Sequence, residues 1–219
     1  MTQRFYSKDS ELTDAQAHQI KNVLRIKARE RIILFDGSGY DYICEFDGKN
    51  AKIIEKVLNR REPERKIYLF QSLLKKDKME WVFQKGTEIG VFEFAPILSA
   101  RSIKKDFNQA RAEKIIREAA EQSGRAVLPN VKEVLNFKEA LEFVQKERLS
   151  GVIADLNSKK HISETLKEMD TALFVGPEGG WTEEEISEAK ENGFKAVSLG
   201  KLQLRAETAA IIASAFLVG

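Results

Sequence analysis

The chain has 219 residues, 42% of them hydrophobic and 32% charged, with a formal net charge of +2. That is ordinary for a soluble globular protein with one sizeable domain or two modest ones. No apolar run approaches the roughly 18 to 20 residues of a membrane span, and the opening MTQRFYSKDSEL lacks the apolar core of a signal peptide, so a cytoplasmic protein is expected. One cysteine, Cys44, excludes an internal disulfide; without neighbouring histidines it reads as a small buried hydrophobe, and no metal site is expected.

The first element in chain order is a helix. Thr13 and Gln16 stand at capping-box spacing, and Ala17, Ile20, Val23 and Leu24 follow at helical spacing, leaving His18, Lys21, Asn22 and Arg25 on the opposite face. From Arg31 the period becomes strand-like in IILFDG, YDYICEFDG and AKIIEKVL, with Asp-Gly turn signals between them. Short strands and tight turns predict a small β-barrel or sheet module, ending at the charged linker NRREPERK (59–66). Residues 1–66 hold 14 Lys and Arg against 11 Asp and Glu, and Lys21, Arg25, Lys27, Arg29 and Arg31 are relieved only by Glu30. A polyanion partner and a plain solvated basic face both fit that cluster.

After the linker, strands alternate with helices. KIYLFQSLL, FEFAPIL, GVIADL, TALFVG and AVSLG read as strands. Helices are expected over KMEWVFQKGTEIG, with Gly90 as C-cap, over 109–124, over FKEALEFVQKE, from Thr182, and from about Arg205. This alternation predicts an α/β domain of about 150 residues, a parallel sheet with helices on both faces. Ligands bind outside the carboxyl ends of such strands, which is where GPEGG (176–180) falls. The stretch is neither a P-loop nor a dinucleotide fingerprint. Taken alone it reads as a tight strand-to-helix turn, with Thr182 and Glu185 forming a second capping box. Further on, LRAETA (204–209) opens an apolar final helix that is either deeply buried or packed on another subunit.

GPEGG, the LG at 199–200 and LRAETA, together with HQIKNVLR, QKGTEIG and EQSGR earlier in the same order, resemble the RsmE family of ribosomal RNA methyltransferases within the SPOUT superfamily. The resemblance spans nearly the whole chain. It departs from the family at Leu202, where an arginine is common. It implies a PUA-like RNA-binding β-barrel over 1–66 and a trefoil-knotted α/β methyltransferase domain over 67–219 that binds S-adenosylmethionine and forms a homodimer. The implied reaction is methylation of uridine N3 in 16S rRNA, at U1498, with the assembled small subunit as the expected partner.

By the same resemblance the cofactor is held by Gly176, Pro177, Glu178, Gly179, Gly180, Leu199, Gly200, Leu204, Arg205, Thr208 and Ala209. Arg205 is expected to stabilise charge on the uracil oxygens, with Glu88 or Glu207 as proton acceptor; an Arg205–Glu207 ion pair is the structural alternative. Arg4, His18, Lys21, Arg25, Arg29 and Arg125 are the expected RNA contacts. Two rival functions use the same motifs: 2'-O-ribose methylation of tRNA or rRNA, and a non-catalytic ribosome-assembly factor.

Overall fold

The computed structural model describes residues 2–9, 11–165 and 169–219. The chain divides into two compact units, Met1–Glu62 with Arg117–Leu128, and Pro63–Ile116 with Pro129–Gly219.

In the first unit, strands β1 (Arg4–Tyr6), β2 (Arg31–Phe35), β3 (Tyr40–Phe46) and β4 (Ala51–Leu58) form one sheet in chain order. β1 runs parallel to β2, and the remaining pairs are antiparallel. Helix α1 (Asp14–His18) starts at the expected capping box, Thr13 Oγ1 accepting from the Gln16 N–H while the Gln16 side chain accepts from Thr13. It then widens into a π-helical turn, Gln19–Val23. The wider turn shifts the facing of later residues. Ile20 is therefore fully buried while Val23, expected on the same apolar face, is 66% exposed. Phe5, Ile20, Ile32, Leu34, Cys44 and Phe46 make the core. Burial pushes the Cys44 thiol above its usual pKa, which keeps it protonated and inert.

The stretch read as a linker is partly fixed. Asn59 Nδ2 donates to Asp41 and to the Gly124 carbonyl, and the Glu62 carboxylate accepts from Arg125 and from the N–H groups of Ala126 and Val127.

The second unit is built on strands β5 (Ile67–Ser72), β6 (Glu93–Leu98), β7 (Asn130–Val131), β8 (Leu135–Asn136), β9 (Ser150–Ala154), β10 (Thr171–Val175) and β11 (Lys195–Val197). The sheet order is β11-β9-β10-β5-β6-β7, with β8 also on β6, and its pairings are parallel. The helices are α2 (Lys76–Ile89), α3 (Gln109–Ser123), α4 (Phe137–Lys146), α5 (Glu183–Glu191) and α6 (Ala206–Val218).

Strand alternation explains why both faces are covered. Ala172 and Phe174 of β10 share a cluster with Phe70, with Ala140, Leu141 and Val144 of α4, and with Ala189 of α5. The Phe70 and Phe174 rings stack at 4.5 Å. On the other face, Phe83 of α2 meets Phe94 of β6 edge-on at 5.2 Å, and α6 packs against α2, β5 and β10. α6 buries Ala210, Ala213 and Leu217 completely, as its composition requires.

Candidate functional site

The carboxyl ends of β9, β10 and the stretch after β11 converge on a cavity of about 670 Å3. It is lined by Gly176, Pro177, Glu178 and Gly180 of the glycine turn, by Leu199, and by Leu204, Arg205 and Ala209 at the start of α6. The two motifs that stand apart in sequence thus form facing walls of one space. Gly179, Gly200, Glu207 and Thr208, also expected at the cofactor or the chemistry, adjoin these lining residues in the chain without being among them. Ala206 lines it too, and Lys78, Ala154, Asp155, Leu156, Val175, Trp181, Leu202 and Gln203, none of them marked for it in the sequence, complete the wall.

The turn is held from several sides. Buried Gln71 donates from Nε2 to the carbonyl of Ser72 at 2.9 Å and to those of Val175 and Gly176 at 3.3 Å. Arg101 Nη1 donates to the carbonyls of Gly179 at 2.9 Å and Trp181 at 3.0 Å. The Trp181 indole donates to the Ala154 carbonyl at 3.0 Å, tying the turn to the end of β9. Its ring lies so close to Gly176 that a Cβ there would stand 3.2 Å from it, and Gly180 has φ +68°, which side chains disfavour. α5 begins immediately afterwards, capped by Thr182, whose partner Glu185 also accepts the Ala100 N–H at 2.8 Å.

Charge in the site centres on Lys78. Its Nζ lies 3.1 Å from Glu178 Oε1 and 3.8 Å from Glu207 Oε2. Burial alone would raise the Glu178 carboxyl, but hydrogen bonds from its own backbone N–H and from Lys78 outweigh it, so its pKa lies below the usual value. Arg205 is exposed at the N-cap position of α6. Among the described residues no ion pair joins it to Glu207, whose cationic neighbour is Lys78 instead. Glu88 is on α2, paired with Lys85 at 2.8 Å and away from the cavity lining.

Two of the arginines expected at RNA are enclosed within the first unit. Arg4 grips Asp41 through both terminal nitrogens at 2.7 and 2.8 Å, with its side chain 8% exposed. Arg125 is 5% exposed and bonded to Glu62 at 2.7 Å. Each is paired with a carboxylate of the same unit, so they stabilise that unit and do not present a charge to solvent. His18, Lys21, Arg25 and Arg29 are exposed.

A family model described as an RNA methyltransferase domain matches residues 60–218, and one described as an RNA methyltransferase PUA domain matches residues 12–57. The chain belongs to the RNA methyltransferase family. This RNA methyltransferase is 34% identical to the Ribosomal RNA small subunit methyltransferase E of Bacillus subtilis, over 92% of the chain and 86% of that relative. The solved Ribosomal RNA small subunit methyltransferase E of Neisseria gonorrhoeae, bound to S-adenosyl methionine, superposes with a TM-score of 0.87 at 33% identity, covering 98% and 96% of the two chains. A solved RNA 2'-O ribose methyltransferase shares the fold alone, at 17% identity and a TM-score of 0.51. The cavity of the RNA methyltransferase suits a cofactor of that kind. Its volume falls within the roughly 300–1,000 Å3 of small-molecule sites, and apolar Val175, Leu199, Leu204 and Ala209 are combined with carboxylates and glycine backbone.

Proposed function

We propose that the protein methylates N3 of a uridine in 16S ribosomal RNA, at the position corresponding to U1498, using S-adenosylmethionine. The observation that carries this reading is the meeting of GPEGG and LRAETA as opposite walls of one cavity at the carboxyl ends of parallel strands. The cofactor supplies a methyl group already activated on a sulfonium, so the chain's task is alignment and exclusion of water. Leu199, Leu204 and Ala209 enclose the adenine, while the glycine turn, braced by Gln71, Arg101 and Trp181, brings backbone groups close to it. Leu156 and Leu202, 50% and 79% exposed, give the cavity wall apolar surface for the entering base.

Uridine N3 bears a proton in its neutral form, so the proton must leave and the resulting charge must be spread. Exposed Arg205 faces that charge on the uracil oxygens. Of the two candidate proton acceptors, Glu207 is kept because its chain neighbours line the cavity, whereas Glu88 is engaged with Lys85.

RNA phosphates are contacted by His18, Lys21, Arg25 and Arg29 in the portion 1–66; the methyltransferase portion is 67–219, of which 117–128 folds with the first unit. The substrate is the assembled small subunit, and the enzyme acts in the cytoplasm as a homodimer. Half-exposed Trp81 and Phe216, on the packed pair α2 and α6, support a contact with a second copy through the methyltransferase portion. The knot of that portion is likewise proposed on family resemblance.

The test is methylation of purified small subunits with the methyl-labelled cofactor, followed by digestion to nucleosides and mass spectrometry. The expected mass gain lies on a uracil base. A gain on ribose, or none, contradicts the proposal.

A further inference from the structure

Lys78 joins three separated pieces of chain. It sits in the first turn of α2, Glu178 is in the glycine turn, and Glu207 is in the first turn of α6. Its Nζ is within 3.1 Å of the first carboxylate and 3.8 Å of the second. One ammonium facing two carboxylates leaves one negative charge at the cavity wall. Lys78 and Glu178 line the cavity and Glu207 lies directly behind Lys78; the remaining charged lining side chains, Asp155 and Arg205, are one of each sign.

That charge is poorly screened. Glu207 is only 7% exposed, and among the described residues its Oε2 has no hydrogen-bond partner. The amino end of α6 offsets part of it. A buried carboxylate this incompletely paired is costly, and it is relieved when a cation arrives. The cofactor class assigned to the cavity arrives as a sulfonium cation. Methyl transfer moves the carbon–sulfur bonding pair onto sulfur as the new carbon–nitrogen bond forms, so a neutral thioether remains.

We infer that Lys78, Glu178 and Glu207 act as a charge selector, holding the cavity wall one unit negative so that the sulfonium donor is bound in preference to the neutral S-adenosylhomocysteine. Lys78 is a positioning residue in this arrangement. Without its ammonium the two carboxylates would repel, and the glycine turn would lose its tie to α6. The inference rests on the reading of the cavity as an S-adenosylmethionine site.

Calorimetry of the full-length protein with each of the two ligands tests it, in the wild type and in Glu207→Gln, Glu178→Gln and Lys78→Gln. Removing a negative charge should lower the donor-to-product affinity ratio by about tenfold in either glutamate variant. Lys78→Gln should raise that ratio, even if it weakens both ligands by loosening the turn. Opposite signs from residues in one contact cannot come from simple loosening of the pocket. Ratios that stay unchanged, or that move in the same direction in all three variants, overturn the inference while leaving the cofactor assignment in place. A wild-type protein that binds neither ligand overturns both.

Discussion

Arg205 and Glu88 are both candidates for the chemistry by sequence, yet their surroundings assign them opposite fates. Arg205 stands exposed at the cavity wall, whereas Glu88 is tied to a neighbour one turn away on α2. Arg205→Ala is expected to lower kcat by about 100-fold at saturating cofactor, the usual scale for removing one charge-stabilising donor. Glu88→Gln is expected to keep near-normal turnover. Single-turnover kinetics on small subunits checks both, and near-normal rates for Arg205→Ala would remove it from the chemistry. Glu178 gives a pH prediction at the same scale. Its folded pKa is depressed below the usual 4.5, so its contribution to stability is present above that value and is lost as pH falls through the lower folded value. The difference in Tm between wild type and Glu178→Gln should therefore be largest near neutral pH and shrink as pH falls below the ordinary 4.5 and the wild-type carboxylate protonates. A difference that grows on acidification would contradict the Lys78 pairing.

Among the elements, α5 follows the glycine turn with no intervening loop, so its cap and the turn's shape are linked. Thr182→Ala removes the hydrogen bond that Thr182 Oγ1 accepts from the Glu185 N–H, while the Glu185 carboxylate keeps the N–H groups of residue 182 and of Ala100. It should cost about 1 kcal/mol in a denaturant titration. It should also weaken cofactor binding, because the turn is then held from one side fewer. The Thr182 and Thr13 boxes were legible in the sequence because each partner is three residues away. The alternation of strands and helices was legible for a similar reason, since burial on a sheet or helix face imposes a short period. Lys78 was not legible, because Glu178 is 100 residues from it and only the crossing of α2 beside the turn brings them together. Arg4 and Arg125 illustrate the converse. Their basic character is plain, but the carboxylates that pair with them lie 37 and 63 residues away and pairing is invisible in local sequence. Val23 was misplaced because a π turn has no marked local signal here.

At the scale of the whole molecule, one unit presents exposed His18, Lys21, Arg25 and Arg29, and the other holds the cavity. Phosphate contacts supply affinity without reading sequence. Replacing Lys21, Arg25 or Arg29 by alanine should weaken RNA binding and reduce the slope of log affinity against log salt by about 1 for each contact. The same substitutions at Arg4 or Arg125 should instead lower Tm, since each leaves a carboxylate unpaired inside the first unit. Salt-dependent binding titrations beside thermal unfolding separate the two groups. The assignment to uridine N3 is decided by mapping modified uridines in 16S rRNA from cells lacking this protein, with and without restoration of the gene. Loss of the N3-methyl group at U1498 alone is expected, restored by the wild-type chain and not by Arg205→Ala. An unchanged N3-methyl group at that position in its absence would contradict it.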